Sequence, residues 1–172
     1  MDGERGKAIL RELDQALDAL DGYARTIDFA RFTTERLAFD GVLHAMTLAG
    51  QCAIDLALMI IADRRFGTPP TYREAFDVLA RNGVIPVELM NPLGEWASMR
   101  NVIIHLYTKL HLETLHKAYT TKTGVLRDFR ALAAKLLAEP SPAPDAPPAG
   151  SSVREPRVRY RKTAAKPKKA RR

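Results

Sequence analysis

The stretch Met99-Arg100-Asn101-Val102-Ile103-Ile104-His105-Leu106-Tyr107 sets four polar residues around an apolar triplet. Arg100 brings a permanent cation whose planar fork suits phosphate. His105 can take and give a proton near neutral pH. Together they hold what strand cleavage by a ribose 2′-OH requires. A base removes the hydroxyl proton, and a cation offsets the charge growing on the phosphorus oxygens. That scheme needs no metal ion. The same two residues can also cap a helix end and face water, and residue type alone leaves both readings open.

Other chemical templates are missing. The sequence has no GxxxxGK[ST], GxSxG, HExxH or CxxC. Cys52 is the single cysteine and sits in an apolar run, where a small core residue is expected rather than a nucleophile. Trp96 and the phenylalanines read as core. The histidines are His44, His105, His111 and His116. The last three do not share one helix face, and no carboxylate or cysteine completes a ligand set. Neither a metal site nor a cofactor is expected.

Residues of this kind need a rigid carrier, and the sequence reads as helical throughout, with no sustained strand alternation. Ile9, Leu10, Leu13, Leu17, Leu20 and Ala24 recur at three and four, predicting a first helix over about 7–29. Thr33 or Thr34 is placed to cap a second helix reaching about residue 66. Gly67 and Pro69-Pro70 then enforce a loop. Thr71 and Glu74 have capping-box spacing and open a short helix to Asn82, followed by Gly83. Pro86 suits a first helical turn. Pro92 is expected to kink or restart that helix, so that the fourth main helix runs over about 92–107. A fifth covers about 112–137, distorted at Thr120-Thr121-Lys122-Thr123-Gly124. The apolar run Ala45–Ala62 contains Gln51 and Asp55, which favours a buried core helix over a membrane span. The pattern predicts an all-α, antiparallel four/five-helix bundle.

Charge divides the 172-residue chain. Residues 1–138 hold 17 Lys+Arg and 17 Asp+Glu, whereas residues 139–172 hold 10 and 3. The net +7 therefore lies in the tail and says nothing about nucleic-acid binding by the body. We divide the chain into a helical domain, 1–138, and a tail, 139–172. The tail starts as a Pro/Ala-rich linker that cannot bury enough apolar surface to fold, so disorder is expected. It ends in a basic arm with Arg157, Arg159, Arg161, Lys162, Lys166, Lys168, Lys169, Arg171 and Arg172. The arm is either a phosphate-binding element, with Tyr160 to stack on a base, or a solvated extension. A lone cysteine and no legible secretory signal in MDGERGKAIL fit a cytoplasmic protein.

The pattern R-N-x-x-x-H-x-Y at Arg100, Asn101, His105 and Tyr107 resembles the motif of the HepT-like toxins of the HEPN superfamily. Cys52–Ala57, Gly67–Phe76 and Leu79–Pro86 resemble further family landmarks in the same order. The resemblance implies a HEPN helical bundle acting as a homodimer. It also implies metal-independent endoribonuclease activity, used as the toxin of a bacterial toxin–antitoxin pair. On the motif, Arg100 and His105 are catalytic and Asn101 supports them. Tyr107 matches the tyrosine that the partner antitoxin, a minimal nucleotidyltransferase, adenylylates with ATP. That modification would set bulk and negative charge beside Arg100. Asp55 matches an acidic position on the second helix, where it orients the site or pairs with Arg100. Gln51 stands where many relatives carry a carboxylate, and Leu106 replaces a more usual polar residue.

Helix geometry bears on the dimer. Positions 100 and 105 lie roughly 140° apart around an ideal helix, and positions 100 and 107 only about 20°. A regular helix would not aim Arg100 and His105 at one phosphate, so either the helix distorts or two chains share the site. The rival to an enzyme is a non-catalytic module that binds a nucleotidyltransferase partner, with the tail tethering the complex to RNA or DNA. A DNA-binding regulator fits less well, because the body lacks a basic recognition helix.

The tail can be tested separately. Deleting residues 153–172 is expected to weaken RNA binding and flatten its salt dependence, with cleavage at saturating substrate unchanged. Titrations of RNA at several salt concentrations check this, and unchanged affinity at low salt would make the arm irrelevant to RNA.

Overall fold

A computed structural model describes residues 3–105 and 111–139, and every regular element among them is a helix. In chain order these are α1 (Gly3–Thr26), α2 (Phe29–Thr34), α3 (Arg36–Arg64), α4 (Tyr72–Arg81), α5 (Val87–His105), α6 (Leu112–Thr121) and α7 (Gly124–Ala138). The fold is all-α. The basic arm and Tyr107 lie outside the described residues.

The α3 helix is the axis of the bundle. By length and composition it could cross a membrane, but it packs against α1, α4, α5 and α7 as a core helix. Val42, Ala49, Ile54, Leu56, Ala57 and Ile60 are fully buried along it. The predicted α1 stripe faces this helix, with Leu13, Leu17 and Leu20 completely enclosed. Leu126, Phe129 and Ala133 of α7 close the core, and Phe129 packs edge-on against Phe76 of α4, centroids 5.6 Å apart. Arg130 reaches from α7 to Asp14 at 2.6 and 2.8 Å, and Arg127 reaches to Asp21. These pairs are part-exposed, so they fix register more than they add stability.

Three sequence-based expectations need correction. The first helix stops at Thr26 rather than near Phe29. Asp28 then caps a separate short helix, its carboxylate accepting from the Arg31 backbone N–H at 2.8 Å. Thr33 and Thr34 do not cap α3. Their hydroxyls donate back to the carbonyls of Phe29 and Ala30, inside α2. Second, Pro92 lies inside a continuous α5. The hydrogen bond it forfeits is to Glu88, an exposed residue in the first turn, whose carbonyl can turn to water. Third, the anticipated distortion near residue 122 is a full break between α6 and α7.

Two buried aromatics seal the breaks. The Tyr119 hydroxyl donates to the Ile27 carbonyl at 3.2 Å, between α1 and α2. Burial pushes that phenol above its ordinary pKa. The Trp96 indole N–H donates to the Lys122 carbonyl at 3.2 Å, between α6 and α7. In both cases the ring fills the core while its polar tip satisfies a carbonyl that has left the helical ladder.

Phe129→Ala is expected to cost about 3–5 kcal/mol of unfolding free energy, against less than about 1 kcal/mol for Asp14→Asn. Urea unfolding of the two variants checks the contrast.

Candidate functional site

The site is built where α5 crosses α3. Gly50 makes the crossing close: a Cβ there would lie 3.1 Å from the Cβ of Arg100 and 3.4 Å from the Trp96 carbonyl oxygen. The root of Arg100 thus rests against bare backbone, and α5 is seated between α3, α4 and α7 with this as its close approach to α3. Trp96, one turn earlier on α5, is locked by its bond to Lys122. Arg100 projects from a fixed platform.

The guanidinium is half-buried. Its Nη1 donates to Asn101 Oδ1 at 3.0 Å. Its Nε is buried with no acceptor. Asp55 does not pair with Arg100 among the described residues. Its carboxylate instead accepts from Gln51 Nε2 at 2.8 Å, one turn away on α3. This corrects the pairing that the resemblance allowed and has a simple cause. With an amide rather than a carboxylate at position 51, Asp55 finds a donor one turn away on its own helix. Gln51 Oε1 is left buried and unpartnered. Among the described residues the arginine therefore keeps an uncommitted donor and has no compensating carboxylate.

A second wall comes from the start of α4. Thr71 accepts from the Glu74 backbone N–H at 3.2 Å, as the capping-box spacing predicts. Arg73 then lies across α5, where a Cβ on Gly94 would meet its Cγ at 3.0 Å. Between these anchors Tyr72 is held with 42% of its surface exposed. The Arg100 guanidinium carbon sits over its ring, 6.0 Å from the centroid. Residues 68–72, with Leu58 and Asn101, line an open cavity of about 460 Å³. Sequence reasoning found the loop but not this aromatic. Its signal was a tyrosine directly behind a helix cap, too exposed a position for a core role.

His105 is the last residue of α5, so position 105 is helical, as position 100 is. Tyr107 and the tail cations from Arg157 to Arg172 lie outside the described residues. Cys52 is buried, and burial, aided by Glu12 and Asp55, pushes its thiol up to about 12. It is a core residue and not a nucleophile. His116 is committed to an aromatic cluster, its ring edge-on to Tyr119 and Phe29 at 5.2 and 5.3 Å.

Residues 13–133 match the family described as ribonuclease HepT-like. The mRNA nuclease HepT of Shewanella oneidensis is 28% identical over 86 residues, 50% of this chain and 65% of that protein. The chain thus spans just under two thirds of that relative. Among solved structures, a tri-AMPylated Shewanella oneidensis HEPN toxin in complex with its MNT antitoxin superposes with a TM-score of 0.70. It is 19% identical, with 78% of this chain and 98% of that one covered. The cytosolic protein of unknown function YutE from Bacillus subtilis also gives 0.70, at 16% identity, covering 80% and 91%. These structures establish a shared fold.

Gly50→Val tests the platform. The added methyls must push α5 away, at a cost of about 1–3 kcal/mol in chemical denaturation. Wild-type stability in that variant would show that the crossing has slack and does not fix Arg100.

Proposed function

The chain belongs to the HepT-like ribonuclease family, and from that premise we propose that it is a metal-independent endoribonuclease, the toxin of a bacterial toxin–antitoxin pair. In this reading it acts in the cytoplasm as a homodimer. A nucleotidyltransferase antitoxin neutralises it by adenylylating Tyr107. The observation that carries the reading is Arg100, seated on α5 with no carboxylate partner among the described residues and an open cavity beside it.

An arginine so placed is ready for an anion. In the reaction it receives a phosphodiester and offsets the charge that grows on its oxygens. His105 takes the proton from the ribose 2′-OH, whose oxygen attacks the adjacent phosphorus. The bond to the 5′-oxygen breaks, and that oxygen leaves with a proton. The products are a 2′,3′-cyclic phosphate and a free 5′-hydroxyl. Because α5 is helical through position 105, the roughly 140° offset between positions 100 and 105 stands. That offset supports a site shared by two chains, in which one His105 acts as base and its mate as acid.

Regulation by the partner follows the same geometry. Positions 100 and 107 share a helical stripe to within about 20° if the helix continues. Adenylylation joins the Tyr107 oxygen to the α-phosphorus of ATP and releases pyrophosphate. The phosphodiester anion so formed competes with substrate for Arg100. The tri-AMPylated state of the Shewanella oneidensis toxin supports this reading.

The test is cleavage of RNA in EDTA by protein whose Tyr107 is first shown by mass spectrometry to be unmodified. His105→Ala and Arg100→Ala are each expected to lose about 10²-fold or more in kcat, with 2′,3′-cyclic phosphate ends mapped on the wild-type products. No cleavage of tRNA, rRNA or mRNA by the unmodified protein would turn the reading to an interaction module, with this cluster as its docking surface.

A further inference from the structure

We propose that the cavity beside Arg100 is a nucleobase subsite, with the Tyr72 ring as its stacking platform and the Asn101 amide at its edge. The proposal rests on the ribonuclease reading and adds how the substrate is positioned and which part of it is read.

Location comes first. Tyr72 and Asn101 both line the cavity, and both touch the arginine assigned to the phosphate. With the guanidinium only 6.0 Å from the ring centroid, a phosphate on Arg100 and a base on Tyr72 belong to the same or the adjacent nucleotide. The lining is also suited to a base. Tyr72, Pro69, Pro70 and Leu58 offer flat or apolar surfaces, and Thr68, Thr71 and Asn101 offer polar edges. Bases splayed from a single strand are held in this way, stacked on an aromatic face and hydrogen-bonded along their edges. No Asp or Glu lines the cavity, so nothing there repels a polyanion. Its size of about 460 Å³ falls within the range of small-ligand sites.

The two reading residues are preset. Asn101 has its carbonyl oxygen occupied by Arg100 Nη1. Its amide N–H₂ is the group left to meet a ligand, and it selects for acceptors on the base edge. Tyr72 is the first residue of α4, held between the Thr71 cap and the Arg73 side chain that spans α5. Packing explains the backbone placement. It does not explain why a large aromatic at that point stays 42% exposed. A stacking role does.

The experiment compares wild type with Tyr72→Phe and Tyr72→Leu on short RNA oligonucleotides that differ in the bases flanking the cleaved bond. Cleavage gives kcat and KM. Fluorescence anisotropy with the matching 2′-deoxy oligonucleotides, which lack the attacking hydroxyl, gives binding alone. Thermal unfolding confirms that each variant is folded, and Tyr72→Phe, which keeps the ring, serves as the conservative control. Tyr72→Leu is expected to raise KM and the dissociation constant roughly ten- to hundredfold and to flatten the preference among bases, while Tyr72→Phe stays near wild type. Wild-type KM, affinity and base preference in Tyr72→Leu would overturn the subsite and leave the ribonuclease standing. Tyr72-dependent binding without any cleavage would remove the ribonuclease and leave the base subsite. A wild-type protein that neither binds nor cuts would remove both.

Discussion

The contact on which this molecule turns is the meeting of α3 and α5 at Gly50. A single missing methyl group lets the backbone of one helix rest against the root of Arg100 on the other. Close-packed interiors transmit displacement, so the direction in which Arg100 leaves its helix is set by how deeply the two helices seat. The rest of the core serves that seating. The α3 helix is enclosed by α1, α4, α5 and α7, and α5 is additionally held by the Trp96 indole at the α6–α7 break. An arginine on a loop would reach the same region with several rotamers. Here its stem is immobilised, and the entropy of ordering it has been spent in folding rather than in binding.

The same economy governs the two breaks in the helical sequence. Leaving the helical ladder strands carbonyls, and a buried stranded carbonyl costs about as much as a lost hydrogen bond. The chain answers with the polar tips of its two largest fully buried side chains, Tyr119 and Trp96. The α6–α7 break and the site-bearing helix are therefore coupled. The bend that lets α6 and α7 wrap the core is secured by the residue one turn before Arg100.

What the sequence reveals and what it conceals follow from the range of each interaction. Apolar periodicity is local and repeated, so the α1 stripe, the buried character of Ala45–Ala62 and the Thr71 cap are all legible. The motif at Arg100 and Asn101 is legible because its residue types are chemically unusual in an apolar helix. Boundaries that hinge on competition are not. Asp28 caps a short helix that the apolar pattern does not announce, and Thr33 and Thr34, lying inside that helix, donate to carbonyls behind them instead of capping α3. Pro92 lies inside α5, where the carbonyl left without its helical partner belongs to the exposed Glu88. Whether Asp55 pairs with Gln51 or with Arg100 was likewise not fixed by spacing, because the second partner lies on another helix. Tyr72 is the plainest case: its place beside Arg100 spans two helices and a loop, and no spacing rule contains it.

Charge balance explains why one residue could decide so much. The described domain lies within a region whose cationic and anionic residues are equal in number, so its body has no broad positive field to draw in a polyanion. At the site Arg100 supplies a half-buried cation whose Nε has no acceptor and which has no carboxylate partner among the described residues. In a uniformly basic groove, one added phosphodiester would barely alter the field. Where the body carries no net charge, the same group changes the local field by a much larger fraction. On the ribonuclease reading proposed above, the neutral body and this arginine would act together: a binding arm or a base subsite would add reach, and a single nucleotide attached beside the arginine would compete with substrate.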